Sequence, residues 1–203
     1  MKDEPRPAAT LILARPSTDA VEVLILTRAE GNRFLPGYAV FPGGTVERWD
    51  LELATSLFRD AAEDARACAL RELYEEASIL LTATGPIAQR PTAPLGSIAF
   101  DPPSARMLVE IGRWIAPEFI ETRYDARFFA AAAPRGIEPE PDGVEISEAR
   151  WATPAAVLDQ VESGEAQAFW PTLVTLRALA ECREVADVLA LRVEQIPDPR
   201  VTP

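Results

Sequence analysis

The stretch "RELYEEASIL", residues 71–80, sets Glu72, Glu75 and Glu76 three and four positions apart. In a helix that spacing puts all three carboxylates on one side, within a few ångströms of each other. The flanking sequence supports a helix from Ala61 to Ala77, because Ala62, Ala65, Ala69, Leu70, Leu73 and Ala77 recur at helical intervals and mark an apolar face. Clustered acids on a helix are most often a solvated face, here braced by Arg71, which can reach Glu75 across one turn. The other reading is a seat for a hard divalent cation such as Mg²⁺ or Mn²⁺, which takes oxygen ligands. Upstream, "FPGGTVERWD", residues 41–50, ends an apolar run in the pair Gly43–Gly44. Two glycines there allow the backbone to come close to a ligand, and a carbonyl at Gly43 can complete a metal shell.

Outward from these two segments the chain reads as strands, helix, strands and helices. "ATLILA" (9–14) and "VEVLILT" (21–27) predict neighbouring strands joined through "RPSTD", and "YAVFPGG" predicts a third that stops at Pro42. "GPIAQRPTAPLG" (85–96) reads as a proline-interrupted loop, "RYDARFFAAAAP" (123–134) as an aromatic strand and "PRGIEPEPDG" (134–143) as an exposed loop. "VEISEARW" is a further strand. A helix then starts with Thr153 as N-cap and Pro154 in its first turn, and a last helix spans 171–192. This order predicts an α/β sandwich, a mixed sheet between helices. No repeat or composition break divides residues 1–203, which predicts a single domain.

Charge and composition narrow the partners. Lysine and arginine total 20 against 32 acids, a net charge of −12, which disfavours nucleic acid and anionic membranes. There is no histidine, so imidazole is removed both as a general base and as a metal ligand. Cys68 and Cys182 lack metal or redox spacing, and Cys68 reads as a buried, inert thiol. The N-terminus lacks the apolar segment of a signal peptide, and no apolar run approaches the roughly 20 residues of a membrane span, so a cytoplasmic location is the expectation.

Gly43–Gly44, then Glu63, seven residues, and Arg71-Glu72-Leu73-x-Glu75-Glu76-x-x-Ile79 together resemble the signature of the nudix hydrolases. The resemblance implies an α/β/α sandwich in which the glycine turn faces the acidic helix and the two hold metal and diphosphate. It implies Glu72, Glu75, Glu76, Glu63 and Gly43 as metal ligands, with Gly44 against the substrate. Two departures stand out. The family leaves five residues between the second glycine and the first acid, which would select Asp50; Glu63 lies thirteen positions later, so an insertion at about 48–60 is expected, with Asp50 as an alternative to Glu63. Ser78 replaces the glycine that follows the family's acidic helix, at a cost of roughly 1–2 kcal/mol if the cap is left-handed.

"LILTRAEGNRFLPGYAVFPGG", residues 24–44, is similar to the segment that marks the coenzyme A diphosphatases within the family, with Leu26 in place of threonine. That likeness implies hydrolysis of coenzyme A or acyl-CoA to 4′-phosphopantetheine, or its acyl form, and adenosine 3′,5′-bisphosphate. Arg28 and Arg33 can supply bidentate, charge-assisted bonds to phosphate that so acidic a chain otherwise lacks; Arg123 and Arg127 are weaker candidates. The expected cofactor is Mg²⁺ or Mn²⁺ and the expected partner a small nucleotide substrate, with a homodimer left open. Arg71 would orient Glu75, and Glu72 would serve the metal-activated water. Glu145, or after it Glu148, would bring a base from the loop before the late Trp-containing strand. Two alternatives stay open: a nudix pyrophosphatase acting on NADH or ADP-ribose, and a non-catalytic nucleotide-binding nudix domain.

Overall fold

The computed structural model describes residues 4–18, 20–31, 35–120 and 122–199. In chain order the elements are β1 (Arg6–Pro16), β2 (Val21–Arg28), β3 (Tyr38–Val40), β4 (Gly43–Thr45), α1 (Arg48–Phe58), α2 (Asp64–Ala77), β5 (Ile79–Thr82) and β6 (Gly85–Ala88). They continue with β7 (Val109–Ile115), β8 (Tyr124–Ala132), β9 (Ile146–Ala152), α3 (Pro154–Glu162), β10 (Gln167–Ala168), α4 (Trp170–Ala180) and α5 (Val185–Ala190). The main sheet runs β10-β3-β2-β1-β8-β7, with β4 added to β1 and β9 to β2. It is mixed: β1 lies parallel to β8 and antiparallel to β2 and β4.

Alternation along the central strands builds two cores. Leu11, Leu13, Leu24, Leu26 and Phe129 pack with α2, whereas Ile12, Ala14, Val23, Ile25 and Phe128 face the side covered by α3, α4 and α5. The fold is therefore the expected α/β class, a curled mixed sheet between helical layers. Thr153 caps α3 by accepting from the Ala156 N–H at 3.3 Å, with Pro154 in the first turn. No helix among the described residues is long and apolar enough to cross a membrane.

Two expectations are corrected, and the insertion takes a form the sequence left open. The insertion is a helix of its own, α1, separated from α2 by a tight 3₁₀ turn at Ala61–Glu63. The segment read as loop from Gly85 begins with β6, which forms a hairpin with β5. The last helix breaks into α4 and α5, because Asp187 accepts from the Arg183 and Glu184 N–H groups at 2.9 and 3.1 Å and starts a new helix instead of continuing the old one.

Ser78 does adopt the left-handed conformation, φ 54° and ψ 35°, at the end of α2. The Ser78 hydroxyl donates to the Glu140 carbonyl at 2.9 Å, and its own carbonyl accepts from the Gln89 N–H at 2.8 Å, so tertiary bonds hold a conformation that glycine would adopt unaided.

Candidate functional site

The acidic face of α2 meets β4. Beside β1, Gly43 pairs with Thr10 and Gly44 with Ala9, and the Gly43 N–H donates to Glu76 Oε2 at 3.0 Å. At Gly43 the backbone leaves no room for a side chain, and at Gly44 a side chain would have to displace Glu72. A Cβ on Gly44 would overlap the Glu72 carboxylate, and one on Gly43 would lie 2.5 Å from the Ala9 carbonyl oxygen. The glycine pair is thus the surface on which the acidic helix is seated.

Arg71 organises the cluster. Its Nε and one terminal nitrogen donate to the two oxygens of Asp50 at 2.8 and 3.0 Å, while the other terminal nitrogen donates to Glu72 at 2.7 Å and Glu75 at 3.1 Å. Asp50 is fully buried, in the first turn of α1, and also accepts from the Glu47 N–H at 2.8 Å. Burial works against the charge of Arg71, but the Asp50 hydrogen bonds and the neighbouring Glu72 outweigh it and raise its pKa. The guanidinium therefore stays ionised beneath the acids.

The carboxylates respond to burial in the opposite sense. Desolvation pushes Glu72 up from the ordinary range, Arg71 pulls it back, and Glu75 and Asp50 add repulsion. Glu76, 5% exposed, is pushed well up by desolvation and then by Glu72, with the Gly43 N–H and Arg28 opposing and Glu145 adding to the rise. Arg28 and Glu145 thus lie within electrostatic reach of Glu76. Sheet register explains it: β2 pairs with β9, placing Arg28 opposite Ile146 after an irregularity at Thr27, and the Ala29 N–H donates to the Glu145 carbonyl at 2.8 Å.

These elements enclose a pocket of about 600 Å³. Of the residues singled out from sequence, Arg28, Gly43, Gly44, Arg71, Glu72, Glu75, Glu76 and Glu145 line it. Glu63, expected as a metal ligand, does not; it pairs with Arg66, while Asp50, the alternative acid, holds Arg71. Glu148 bonds Thr27 at 3.3 Å and is also outside the lining. Arg127 is paired with Glu110 at 2.6 Å, and Arg123 donates to the Ala116 carbonyl at 3.0 Å, both away from the pocket. Arg33 lies outside the described residues. Cys68 sits under the glycine pair, 3.4 Å from the Thr45 carbonyl oxygen, and burial raises its thiol pKa beyond reach of neutral pH.

Reading for acids and arginines missed the aromatic lining. Tyr124, Trp49 and Phe169 face the pocket, Trp49 being 58% exposed and Phe169 47%. The available signal was position: Trp49 adjoins Asp50, and Tyr124 lies inside the "RYDARFF" segment already singled out for its arginines.

A divalent cation suits this donor set. It is all oxygen, matching the preference of hard cations, and Glu76 is a buried carboxylate and Glu72 a half-buried one whose charges a cation would stabilise. Among the described residues no three acid or thiol side chains converge into a ready-made cage. The reason is local: Arg71 holds Glu72 and Glu75, while the Gly43 N–H holds Glu76.

Comparison with known proteins is consistent with this geometry. The pattern of the NUDIX domain matches residues 4–170. A curated relative, "Putative nudix hydrolase 7" of Caenorhabditis elegans, is 27% identical over 194 residues; the match takes in 88% of this chain and 62% of the relative, so the chain spans about three fifths of that protein's length. A NUDIX hydrolase structure from Alicyclobacillus acidocaldarius superposes with a TM-score of 0.77 at 29% identity, covering 95% of this chain and 99% of that one. An Ap4A hydrolase from C. elegans shares the fold at a TM-score of 0.51 and 15% identity, over 85% of this chain and 93% of its own.

Proposed function

The chain belongs to the NUDIX domain family, and we propose that it hydrolyses the diphosphate linkage of a nucleoside diphosphate derivative, with coenzyme A or an acyl-CoA as the substrate. The observation that carries this reading is the seating of Gly43–Gly44 against the carboxylates of α2 in a pocket that also contains Arg28 and Glu145. Hydrolases of this family generally use divalent metals, and Mg²⁺ or Mn²⁺ would be held here by Glu72 and Glu76 with Glu75 assisting. A bound divalent ion would neutralise the diphosphate and make water more acidic.

The remaining work belongs to the protein's own groups. The glycine pair lets the diphosphate approach the backbone of β4 beside the Glu72 and Glu76 carboxylates. Asp50, through Arg71, fixes the two carboxylates that Arg71 bonds, so that their orientation is set before substrate arrives. Glu145 takes the proton from the attacking water, a role suited to a carboxylate in a chain with no histidine. Arg28, with Arg33 from the same sequence segment, meets phosphate, including the 3′-phosphate that distinguishes coenzyme A from its dephospho form.

Purified protein with Mg²⁺ or Mn²⁺ is to be incubated with coenzyme A, acyl-CoA esters, dephospho-coenzyme A, ADP-ribose and NADH, and the products identified by mass. The expected result is 4′-phosphopantetheine and adenosine 3′,5′-bisphosphate from coenzyme A, with dephospho-coenzyme A cleaved roughly ten- to a hundredfold less efficiently for want of one charged contact. Preferential cleavage of ADP-ribose or NADH would reject the coenzyme A assignment, and no cleavage of any of them would reject the diphosphatase reading.

A further inference from the structure

Glu145, the proposed base, reaches the pocket from a loop that apolar packing does little to hold. Val144 just before it is 78% exposed, and Glu145 is itself exposed. Hydrogen bonds fix the backbone instead. The Asp142 carboxylate accepts from the N–H groups of Val144 at 3.2 Å, Glu145 at 3.1 Å and Ile146 at 2.8 Å, while the Glu145 carbonyl accepts from the Ala29 N–H at 2.8 Å. Gly143, with φ 74°, closes the turn by donating to the Ile146 carbonyl at 3.1 Å. We infer that Asp142 is a positioning residue for the reaction: by tying down the N–H groups on either side of Glu145 and that of Glu145 itself, it holds the Glu145 carboxylate at the pocket wall. The inference rests on the reading of Glu145 as the base and adds to it the group that aims it.

Strand register explains why the hold falls at this point. Along the β2–β9 pair Thr27 lies opposite Glu148 but Arg28 lies opposite Ile146, so Ser147 is an extra residue, and its hydroxyl donates to the Thr27 carbonyl at 3.2 Å. This bulge shifts the alternation. Ile146 is fully buried in the core against which Ala149 and Trp151 also pack, although strict alternation would set it on the opposite face. Glu145 is next to that buried side chain, and it lines the pocket together with Glu72 and Glu76. Packing of Ile146 anchors one side of Glu145, and the Asp142 hydrogen bonds anchor the other. Asp142 is exposed and is not part of the pocket lining, so its influence on the reaction passes through Glu145.

The test measures kcat and KM for Asp142→Ala, Asp142→Asn, Glu145→Gln and the double variant Asp142→Ala/Glu145→Gln. The substrate is whichever of coenzyme A, dephospho-coenzyme A, ADP-ribose and NADH the wild-type protein cleaves fastest with Mg²⁺. Asparagine keeps one side-chain oxygen, and in Asp142 a single oxygen, Oδ1, accepts from all three N–H groups; alanine keeps none. Asp142→Ala should therefore lower kcat by about ten- to a hundredfold with KM held within about twofold. Asp142→Asn should retain at least about a third of the wild-type kcat. Because the position is exposed, the melting temperature of either variant should fall by no more than about 5 °C. In the Glu145→Gln background the Asp142→Ala change should lower kcat by less than about twofold, since the carboxylate it aims is already gone. Wild-type kcat in Asp142→Ala, the same factor in both backgrounds, or an asparagine variant as slow as the alanine one would each overturn the positioning role. Wild-type kcat in Glu145→Gln would overturn the base assignment beneath it. Cleavage of none of the four substrates by the wild-type protein would overturn the diphosphatase reading and the role of Asp142 with it.

Discussion

Replacing Asp50 by Asn removes the charge on which the cluster is anchored. Asp50 is fully buried and accepts two bonds from Arg71, so the amide would keep one acceptor and turn an N–H₂ toward a guanidinium N–H. Breaking a buried ion pair by removing one partner costs about 3–5 kcal/mol. Arg71 retains Glu72, Glu75 and the Thr45 carbonyl, which reduces the expected loss to ~2–4 kcal/mol. For a chain of this size that corresponds to a fall in melting temperature of roughly 5–15 °C. Metal-dependent turnover should fall with it, since Glu72 and Glu75 lose the arginine geometry that aims them. Glu63→Gln is the contrasting variant. Glu63 pairs with Arg66 at a partly exposed site, and Arg66 keeps its bond to the Leu108 carbonyl at 2.9 Å, so the loss should stay within about 1 kcal/mol. Calorimetry and a turnover assay on both proteins decide the matter. If Glu63→Gln were the more damaging of the two, the assignment of Asp50 as the anchor would be wrong.

Other outcomes follow from the same geometry. Gly44→Ala should displace Glu72 and cost about 1–3 kcal/mol through overpacking, with a larger proportional loss of activity; wild-type turnover would show that the close approach has no consequence. Ser78→Ala keeps the left-handed strain and loses the bond to Glu140, whereas Ser78→Gly loses the bond but relieves the strain, so the alanine variant should melt below the glycine variant by about 1 kcal/mol in stability; the reverse order would contradict the cap. Hydrogen bonds from Arg113 and Arg127 lower the pKa of Asp125 and Glu110. Their stabilisation is therefore present above the unfolded carboxylate range, near pH ~4, and lost as pH falls through the folded values. Asp125→Asn should flatten the acid limb of the melting profile, and an unaltered limb would remove that pair from the account.

Much of this arrangement was legible in residue order. The period of Ala65, Ala69, Leu73 and Ala77 reveals α2, and the apolar run Leu11-Ile12-Leu13 reveals a strand, which the structure buries on both faces. The second partner of Arg71 was harder to read. Glu75, one turn on, was legible and is paired with it at 3.1 Å, but α1 folds as a separate helix and brings Asp50, far from Arg71 in sequence, underneath it. Spacing from Gly44 pointed to Asp50 as an alternative to Glu63, but not to its bonds with Arg71. Trp49 and Phe169 were hidden for a different reason: an aromatic residue reads alike whether it fills a core or lines a cavity, and tertiary structure alone separates the two. Gly85–Pro86 punctuates the chain like a loop, although Gly85 here turns a hairpin with φ 119°.

The central claim, that the acidic face of α2 against Gly43–Gly44 is the reaction site, is tested most directly at Glu76. Glu76→Gln preserves shape and the bond from the Gly43 N–H while removing a carboxylate that is buried beside Glu72. Without a charge to desolvate, the variant should melt no lower than the wild-type protein. Measured with coenzyme A and saturating Mg²⁺, its kcat should fall at least roughly a hundredfold in a fully folded protein. Wild-type turnover by a folded Glu76→Gln protein would contradict the claim.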